Sequence, residues 1–158
     1  MPVIHLTTKI IAPIERCFDL SRSIDLHLIS THHTKEKAIA GRTHGLIQLG
    51  ETVTWQAFHF GIRQQLTSKI TGYNYPTFFM DEMVKGVFSF ITHEHHFHAE
   101  KEFTIMVDEF EYGSPLGILG HIADTLFLKG YLRRLLEDRN DCIRRYAESE
   151  MWKDVLIQ

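Results

Sequence analysis

The segment Val87–Ala99 reads Val-Phe-Ser-Phe-Ile-Thr-His-Glu-His-His-Phe-His-Ala, and it decides the fold class of this chain. Its pattern repeats at every second position, which predicts a β-strand. The alternation divides the residues after Thr92 between two faces, with His93, His95 and Phe97 on one and Glu94, His96 and His98 on the other. One face of a half-buried sheet meets the core. We therefore expect some of these imidazoles to be buried with a partner, since a buried polar group without one costs roughly 1–3 kcal/mol.

Segments of the same period surround this one. We predict further strands at Val3–Ile11, Lys37–Ala40, Glu51–Phe60, Ile62–Thr71, Thr77–Val84 and Glu102–Tyr112. Short turns at Gly61, at Gly72–Pro76 and at Lys85–Gly86 separate most of them. Short turns between alternating strands are typical of an antiparallel meander.

Three other segments have helical spacing. Ile14–Ser21 follows Pro13, which suits the first turn of a helix, and a second short helix begins at Ser23 or Asp25 and passes through Ile29. The polar segment between them and the meander, Ser30–Gly45, is expected to run over the surface. A long C-terminal helix is predicted to begin with Ser114 as N-cap and Pro115 at its first position, and to end near Glu150.

The long helix has an apolar stripe and a basic face. The stripe consists of Leu128, Leu132, Leu135, Leu136, Ile143 and Ala147. We interpret the arginines as a solvated face: Arg133, Arg134, Arg139, Arg144 and Arg145. The preceding turns are apolar almost all round, which predicts cover by more than one element: Ile118, Leu119, Ile122, Ala123, Leu126 and Phe127.

This element order predicts an α+β fold: a curved antiparallel sheet of about six to seven strands wraps around the long C-terminal helix, with two short helices after the first strand. Residues 1–158 are expected to form a single domain. A curved sheet around one helix leaves an opening unless large side chains fill it. The fold therefore predicts a ligand cavity.

Composition and charge narrow the classes of partner. The net charge is -3 and the sequence pI is about 6.4, so we expect no nucleic-acid partner. We see no signal peptide and no apolar run long enough for a membrane helix, and we expect no membrane insertion. Cys17 and Cys142 match no metal or redox spacing and are expected to be reduced thiols of a cytoplasmic protein.

Particular residues along this element order resemble the START-like superfamily, also called SRPBCC, which includes polyketide cyclases and plant pollen-allergen-like proteins. The resemblance is carried by Phe79–Met83, Gly86–Phe88, His93–Phe97, Thr104–Asp108, Tyr112, Pro115–Gly117 and Gly120. These residues are similar to a bacterial subgroup of small, mostly uncharacterised proteins with the strand patterns F-x-D, G-P-F and H-x-H-x-F. Val87 departs from it where proline is frequent, and Ile91 where an aromatic residue is common. The resemblance implies a helix-grip fold with an interior that binds apolar or amphipathic molecules; some relatives catalyse cyclisation, dehydration or hydrolysis.

Four polar residues are expected to converge on the concave face of the sheet: Asp81, His93, His95 and Asp108. An Asp–His contact orients the imidazole and raises its pKa, which suits a general base or a ligand anchor. A satisfied structural network between strands is the alternative. Asp81, His95 and Asp108 are thus the catalytic candidates. The predicted ligand-binding residues are Trp55, Arg63, Phe79, Asp81, His93, His95, Met106 and Asp108.

A metal site is the weaker interpretation of these residues. His-x-His can supply two ligands and Asp81 or Asp108 a third, but no further His or Cys follows at a metal-binding spacing. We therefore predict no metal and no other cofactor.

The leading hypothesis is a protein that binds a small hydrophobic or amphipathic molecule, with a polar or carboxyl end held by His93 or His95. One alternative is a cyclase- or dehydratase-type enzyme that uses the pair Asp81–His95 or Asp108–His95. The other is a protein-interaction module with a filled core. The ligand, any reaction and the oligomeric state, in which an oligomer is possible, stay open at this stage.

Overall fold

Seven strands form one antiparallel sheet in the computed structural model, which describes residues 1–115 and 117–157, with residues 120, 121 and 123–125 described by their backbone alone. The strands are β1 Val3–Ile10, β2 Lys37–Gly41, β3 Thr52–His59, β4 Ile62–Asn74, β5 Phe78–Lys85, β6 Phe90–Ala99 and β7 Thr104–Gly113. Their order in the sheet is β1-β7-β6-β5-β4-β3-β2. The predicted meander is confirmed, and β1 pairs with its last strand.

Five α-helices accompany the sheet in the described residues: α1 Ile14–Ser21, α2 Ile24–Ser30, α3 Gly117–Ala123, α4 Lys129–Ala147 and α5 Trp152–Leu156. The two short helices predicted after β1 are confirmed. Ser23 caps α2, because its Oγ accepts a 3.1 Å hydrogen bond from the backbone N–H of Leu26. A helix this short needs such a cap, since its first N–H groups have no partner within the helix.

The long C-terminal helix is divided, which the sequence did not predict. A π-helical turn, Asp124–Leu128, separates α3 from α4, and α4 ends at Ala147. The predicted start at Pro115 is also early, because the first helical residue described is Gly117; Leu116 lies outside the described residues. No helix in residues 1–115 and 117–157 is long and apolar enough to span a lipid bilayer.

The apolar turns before α4 are exposed to solvent. Ile118, Leu119 and Phe127 are 83%, 73% and 69% exposed. The prediction that several elements cover this segment is therefore wrong for its described side chains, and the side chain of Ala123 lies outside them. These side chains are exposed because α3 packs chiefly on the π-helical turn and not on the sheet.

A two-residue turn joins β3 to β4 and fixes their register. Phe60 and Gly61 both have positive φ, 53° and 74°, as the hairpin turn that matches strand twist requires. His59 therefore lies opposite Ile62. Directly opposed residues share a face of the sheet, so Trp55 shares its face with Leu66, and Ala57 with Gln64.

The core lies between the concave face of the sheet and the helices. Phe18 of α1 is fully buried and packs against Phe79 and Phe97, with ring centroids 5.3 Å away in both cases. Ile143 and Ala147 of α4 are buried in the same cluster. A second cluster contains Ile4, Leu6, Ile91, Tyr112 and Leu136. These clusters do not fill the interior, and the space left over forms the candidate site.

Candidate ligand-binding site

A cavity of about 680 Å³ lies between the concave face of the sheet and α4. Its wall is mostly apolar, and strands and helices both contribute to it: Ile24, Val53, Ile70, Ile91, Leu132 and Leu135. The sheet leaves this space because its curvature holds β3–β6 away from the helix, and the predicted stripe residues Leu132, Leu135 and Leu136 border it without filling it. Ligand cavities in proteins generally measure roughly 300–1,000 Å³.

The inner polar cluster, defined as Asp81, His93, His95 and Asp108, lies on three neighbouring strands. The sheet register places Asp81 opposite His93, and His95 opposite Asp108. Directly opposed residues share a face, so the alternation of β6 brings both histidines between the two carboxylates. The predicted convergence of the four residues is therefore what the structure shows.

Asp108 is the buried centre of this cluster. Its exposed fraction is 0%, and its Oδ1 accepts a 2.9 Å hydrogen bond from Nε2 of His93. Asn140 of α4 donates to Oδ2 at 2.7 Å, and Nη1 of Arg139 lies 3.6 Å from Oδ1. Burial alone would raise the pKa of Asp108, but the hydrogen bond from His93 and the charges of His93 and His95 hold this pKa well below 3.8.

His95 lies between the two carboxylates. Its Nε2 donates to Oδ1 of Asp81 at 3.1 Å, and its ring stacks on Phe79 with centroids 4.1 Å apart. Its Nδ1 is 3.1 Å from Oδ1 of Asp108 but is not aligned for a hydrogen bond. Among the described residues this nitrogen has no hydrogen-bond partner, so the position of the ring is set by Asp81 and Phe79.

His93 is kept neutral by its surroundings. Burial lowers its pKa, the neighbouring His95 lowers it further, and the pKa comes to about 4 despite the opposing effect of Asp108 and Asp81. The aspartate contacts raise the pKa of His93 as expected, but burial and His95 outweigh them. Its Nε2 donates to Asp108, so in the neutral ring its Nδ1 is an acceptor.

Asp81 presents a charged acceptor to the cavity. Burial would raise the pKa of Asp81, but the hydrogen bond from His95 and the charges of His93, His95 and Arg139 lower it. His95 binds Oδ1, and no described residue donates to Oδ2. The inner polar cluster therefore offers acceptors, Asp81 Oδ2 and His93 Nδ1, to whatever occupies the cavity. Such a group can hold a donor in place, or take a proton from one.

The structure separates the predicted ligand-binding residues into two sets. Five of them line the cavity: Trp55, Phe79, Asp81, His93 and His95. Met106 and Asp108 lie on the concave face of the sheet but do not line the cavity. Ser21 of α1 covers Met106, and the histidines cover Asp108. These two predictions are corrected to supporting positions behind the wall.

Arg63 requires a larger correction. It is exposed on the convex face of β4, where it lies opposite Phe58, which is also exposed. Gln65 of the same strand shares that face, and its Nε2 donates to Oε1 of Gln56 at 3.2 Å. The two-residue turn at Phe60 places Gln64 and Leu66 inside instead.

Sequence reasoning missed a second polar group on the cavity wall. This outer polar cluster is defined as His27, Glu36, His59 and Tyr131, from α2, the segment before β2, the end of β3 and the start of α4. His27 Nε2 lies 3.1 Å from Glu36 Oε1, and His59 Nδ1 lies 2.6 Å from the Tyr131 hydroxyl. No single segment carries a signal for the cluster, because its four members meet only in the folded chain. The segment Ser30–Gly45 was predicted to run over the surface, yet the side chain of Glu36 is only 11% exposed.

Solved structures of the same architecture were found by comparison. A protein from Thermus thermophilus has a TM-score of 0.70 at 17% identity, over 90% of this chain and 97% of its own. The ginseng major latex-like protein 151 from Panax ginseng has a TM-score of 0.68 at 13% identity, over 94% and 98%. This chain has the START-like, or SRPBCC, helix-grip fold.

An enzyme also shares this helix-grip fold. A norcoclaurine synthase point mutant from Thalictrum flavum, solved in complex with a transition-state analogue, has a TM-score of 0.63 at 12% identity over 92% of this chain and 95% of its own. Neither a family model nor a curated protein sequence matches the chain. At these identities the structural likeness shows the fold, and the site must be understood from its own residues.

Arg139 of this helix-grip domain is buried, although the sequence analysis placed it on a solvated face. It is 8% exposed, and its Nη2 donates to the backbone oxygen of Ser21 at 3.0 Å. Its Nη1 donates to Asn140 Oδ1 at 2.9 Å. The other four arginines of the predicted face are exposed. Arg139 therefore supplies a fixed positive charge beside the inner polar cluster.

Two groups of the described residues have the composition of a metal site. Asp81, His93 and His95 each offer a ligand atom, all within 4.8 Å of one another, and Glu94, His96 and Glu109 do the same on the convex face. In the first group the His95 nitrogen nearest Asp81 is already hydrogen-bonded to it. In the second, His96 Nε2 bonds Glu94 Oε2 at 2.9 Å, and both side chains are about one-third exposed. Each group is internally satisfied in part, so the geometry alone does not call for a metal.

Proposed function

We propose that this helix-grip domain binds a small hydrophobic or amphipathic molecule in the cavity, with a hydrogen-bond donor of the ligand at the inner polar cluster. The observation that supports this best is the 680 Å³ cavity, whose mostly apolar wall includes Asp81 and His93, each with an acceptor atom left over from its hydrogen bond. Burying the apolar body of a ligand contributes roughly 25 cal/mol for each Å² removed from water. Hydrogen bonds to the acceptors would fix the orientation of the ligand in the cavity.

The charges favour a donor over a carboxyl end. A ligand carboxylate at this position would meet the ionised Asp81, whose Oδ2 has no donor among the described residues. His93 adds a second acceptor because its ring is neutral. An amine at the inner end would donate to both atoms and a hydroxyl to one of them, whereas a carboxylate would leave two acceptors facing a third.

The cavity also bears on the alternatives. A protein-interaction module with a filled core would leave far less than the roughly 300 Å³ of a ligand site. The norcoclaurine synthase neighbour holds a transition-state analogue, so a helix-grip domain of this length can accommodate a small molecule. An enzyme of the cyclase or dehydratase type is the second candidate, supported by the Asp81–His95 hydrogen bond at the cavity wall.

Native mass spectrometry of the freshly purified protein, compared with its denatured mass, tests the binding proposal. We expect an additional mass in the native spectrum that disappears on denaturation, or an empty protein that binds the neutral apolar probe N-phenyl-1-naphthylamine saturably. A protein that carries no additional mass and does not bind the probe would refute the proposal. His95→Gln then separates the candidates: a binding protein retains affinity for its ligand without any turnover to lose, whereas an enzyme loses turnover and keeps binding.

A further inference from the structure

We propose that the outer end of the cavity binds an organic ammonium group, so that the ligand is an amphipathic cation. This inference rests on the proposed ligand-binding function and specifies the chemistry of its ligand. It is carried by the outer polar cluster together with the aromatic rings around it, none of which the inner polar cluster uses.

Glu36 is a buried carboxylate without a permanent positive partner. Its side chain is 11% exposed, and among the described residues its ion-pair partner is His27, with Nε2 and Oε1 3.1 Å apart. Burial would raise the pKa of Glu36, but the charge and hydrogen bond of His27 outweigh burial and lower it. Glu36 is thus ionised at neutral pH. An ionised group that is withdrawn from water without a lysine or arginine is stabilised by a cation that arrives with the ligand.

His59, the second histidine of the outer polar cluster, does not supply a permanent positive charge to Glu36. Burial lowers the pKa of His59, and its ring is engaged with the Tyr131 hydroxyl at 2.6 Å. Burial also raises the pKa of Tyr131, and the charge of Glu36 raises it further, so the phenol stays protonated. Glu36 therefore carries the permanent charge of the outer polar cluster, because His27 is charged only when it is protonated and His59 and Tyr131 are neutral.

Aromatic rings line this end of the cavity. Trp55, Phe60 and Tyr131 all contribute to the wall, and the rings of Phe60 and Tyr131 lie 4.6 Å apart at an angle of 43°. The ring of His27, which also lines the cavity, lies against Trp55 with the ring centroids 4.1 Å apart. Tilted aromatic faces beside a carboxylate are suited to ammonium groups, because the ring quadrupole attracts a cation by about 0.5–2 kcal/mol for each good contact.

The inner polar cluster is electrostatically different. Its two carboxylates are accompanied by the guanidinium of Arg139, which lies 3.6 Å from Asp108 and also lines the cavity. The outer polar cluster has no such arginine among the described residues. A ligand cation is therefore drawn to Glu36, and an uncharged donor remains the better partner for the inner end.

The distance between the two ends sets the length of the ligand. Asp81 pairs with Ile70 of β4, and Trp55 pairs with Leu66 of the same strand. Two strand spacings across the sheet and four residues along it separate Asp81 from Trp55, which corresponds to roughly 15 Å. An extended ten-carbon chain together with its head group has about this length, so decyl compounds are suitable probes.

The test compares decyltrimethylammonium, decanol and decanoate as competitors of N-phenyl-1-naphthylamine, all below their micelle concentrations. We expect the ammonium compound to bind at least about tenfold more tightly than decanol, and decanoate to bind more weakly than decanol. In Glu36→Gln the preference for the cation over decanol should disappear, while the affinity for decanol stays within about twofold of its original value. Glu82→Gln, which makes the same change of charge on β5 away from the cavity lining, should retain the preference.

Tyr131→Leu gives a second measurement that does not depend on the carboxylate. Loss of the ring should weaken decyltrimethylammonium more than decanol, by about three- to tenfold. Melting temperatures of all variants verify that they are folded. Equal affinities of the three decyl compounds, or a preference that survives Glu36→Gln, would overturn the ammonium site and leave the cavity proposal intact. If neither the probe nor any decyl compound binds, both proposals fail.

Discussion

Asn140 of α4 donates from Nδ2 to Oδ2 of Asp108 on β7 at 2.7 Å, so the most buried carboxylate of the sheet is bound directly by the helix that crosses it. The same amide nitrogen lies 3.3 Å from Oγ1 of Thr8 on β1. This contact joins two neighbouring strands to α4 at the back of the cavity. It keeps Asp108 in place beneath both histidines, and it makes the inner polar cluster a part of the fold as well as of the site.

Asp108→Asn should destabilise the protein strongly. The variant keeps the shape of the side chain but leaves Arg139 and the histidines without their buried negative partner. Loss of one member of a buried charged group typically lowers the free energy of unfolding by about 3–5 kcal/mol. Urea unfolding followed by circular dichroism measures it. The control is Glu109→Gln at the next position, where the side chain is 45% exposed and a change below about 0.5 kcal/mol is expected. A loss below about 1 kcal/mol in Asp108→Asn would show that the network contributes little.

Stability should fall as the pH drops from about 6.5 to about 4. The pKa of His93 in the folded protein is about 4, below its ordinary value of 6.5. Above pH 6.5 the ring is neutral in both states. Between the two values the unfolded chain takes up a proton that the folded chain excludes, which lowers the free energy of unfolding by about 3 kcal/mol in total.

Asp108 affects the free energy of unfolding at lower pH than His93 does. Its folded pKa is below 3.8, so its stabilisation is present above that value and is lost as the pH falls through the folded pKa. His93→Gln should therefore flatten the loss between pH 6.5 and 4 and leave the steeper loss at lower pH. Urea unfolding at several pH values measures both, with the exposed His98→Gln as the control. An unchanged slope in His93→Gln would contradict the neutral, buried state of the ring.

Ser68→Leu should reduce ligand binding without unfolding the protein. Ser68 is 7% exposed on β4 and borders the cavity, so a leucine there extends into space that is now empty. We expect the Kd of N-phenyl-1-naphthylamine to rise at least about tenfold, with the free energy of unfolding unchanged or higher by about 1 kcal/mol through the added apolar burial. Lys69→Leu places the same side chain on the exposed face of β4 and should leave the Kd as it is. Equal Kd values in all three proteins would exclude this cavity as the probe site.

Neither cysteine should react in the folded protein. Burial raises the pKa of the Cys17 thiol to about 11, and burial also raises the pKa of Cys142. The thiolate is the reactive form, so Ellman's reagent at about pH 8 should modify neither residue until urea is added, and both afterwards. Rapid modification of the native protein would mean that α1 or α4 opens far more readily than its packing implies.

Much of the inner polar cluster was predictable, because strand periodicity leaves little freedom. Once Val87–Ala99 is a strand, His93 and His95 must share a face with Phe97, and a buried phenylalanine makes that face the interior one. Asp81 and Asp108 follow from the neighbouring strands of a meander. The protonation of His93 did not follow, because it depends on how completely the folded chain excludes water.

The register between β3 and β4 was beyond the sequence pattern. Trp55 was correctly assigned to the interior, but Arg63 on the next strand was not. One residue more or less in the turn exchanges the two faces of β4. Phe60 in a left-handed conformation is an unusual turn residue, so nothing in the sequence indicated a two-residue turn there. The outer polar cluster was missed for a related reason, since it requires the mutual positions of α2, β3 and α4.

The conformation of Phe60 has a consequence for engineering. A bulky residue with a φ of 53° is strained by about 1–3 kcal/mol, and glycine or asparagine at this position would relax the hairpin. The same residue contributes its ring to the cavity wall, 4.6 Å from Tyr131. A substitution of Phe60 that raises thermal stability would therefore also remove a ring that lines the cavity. A heat-resistant version of the protein obtained by relaxing this turn would be a poorer receptor.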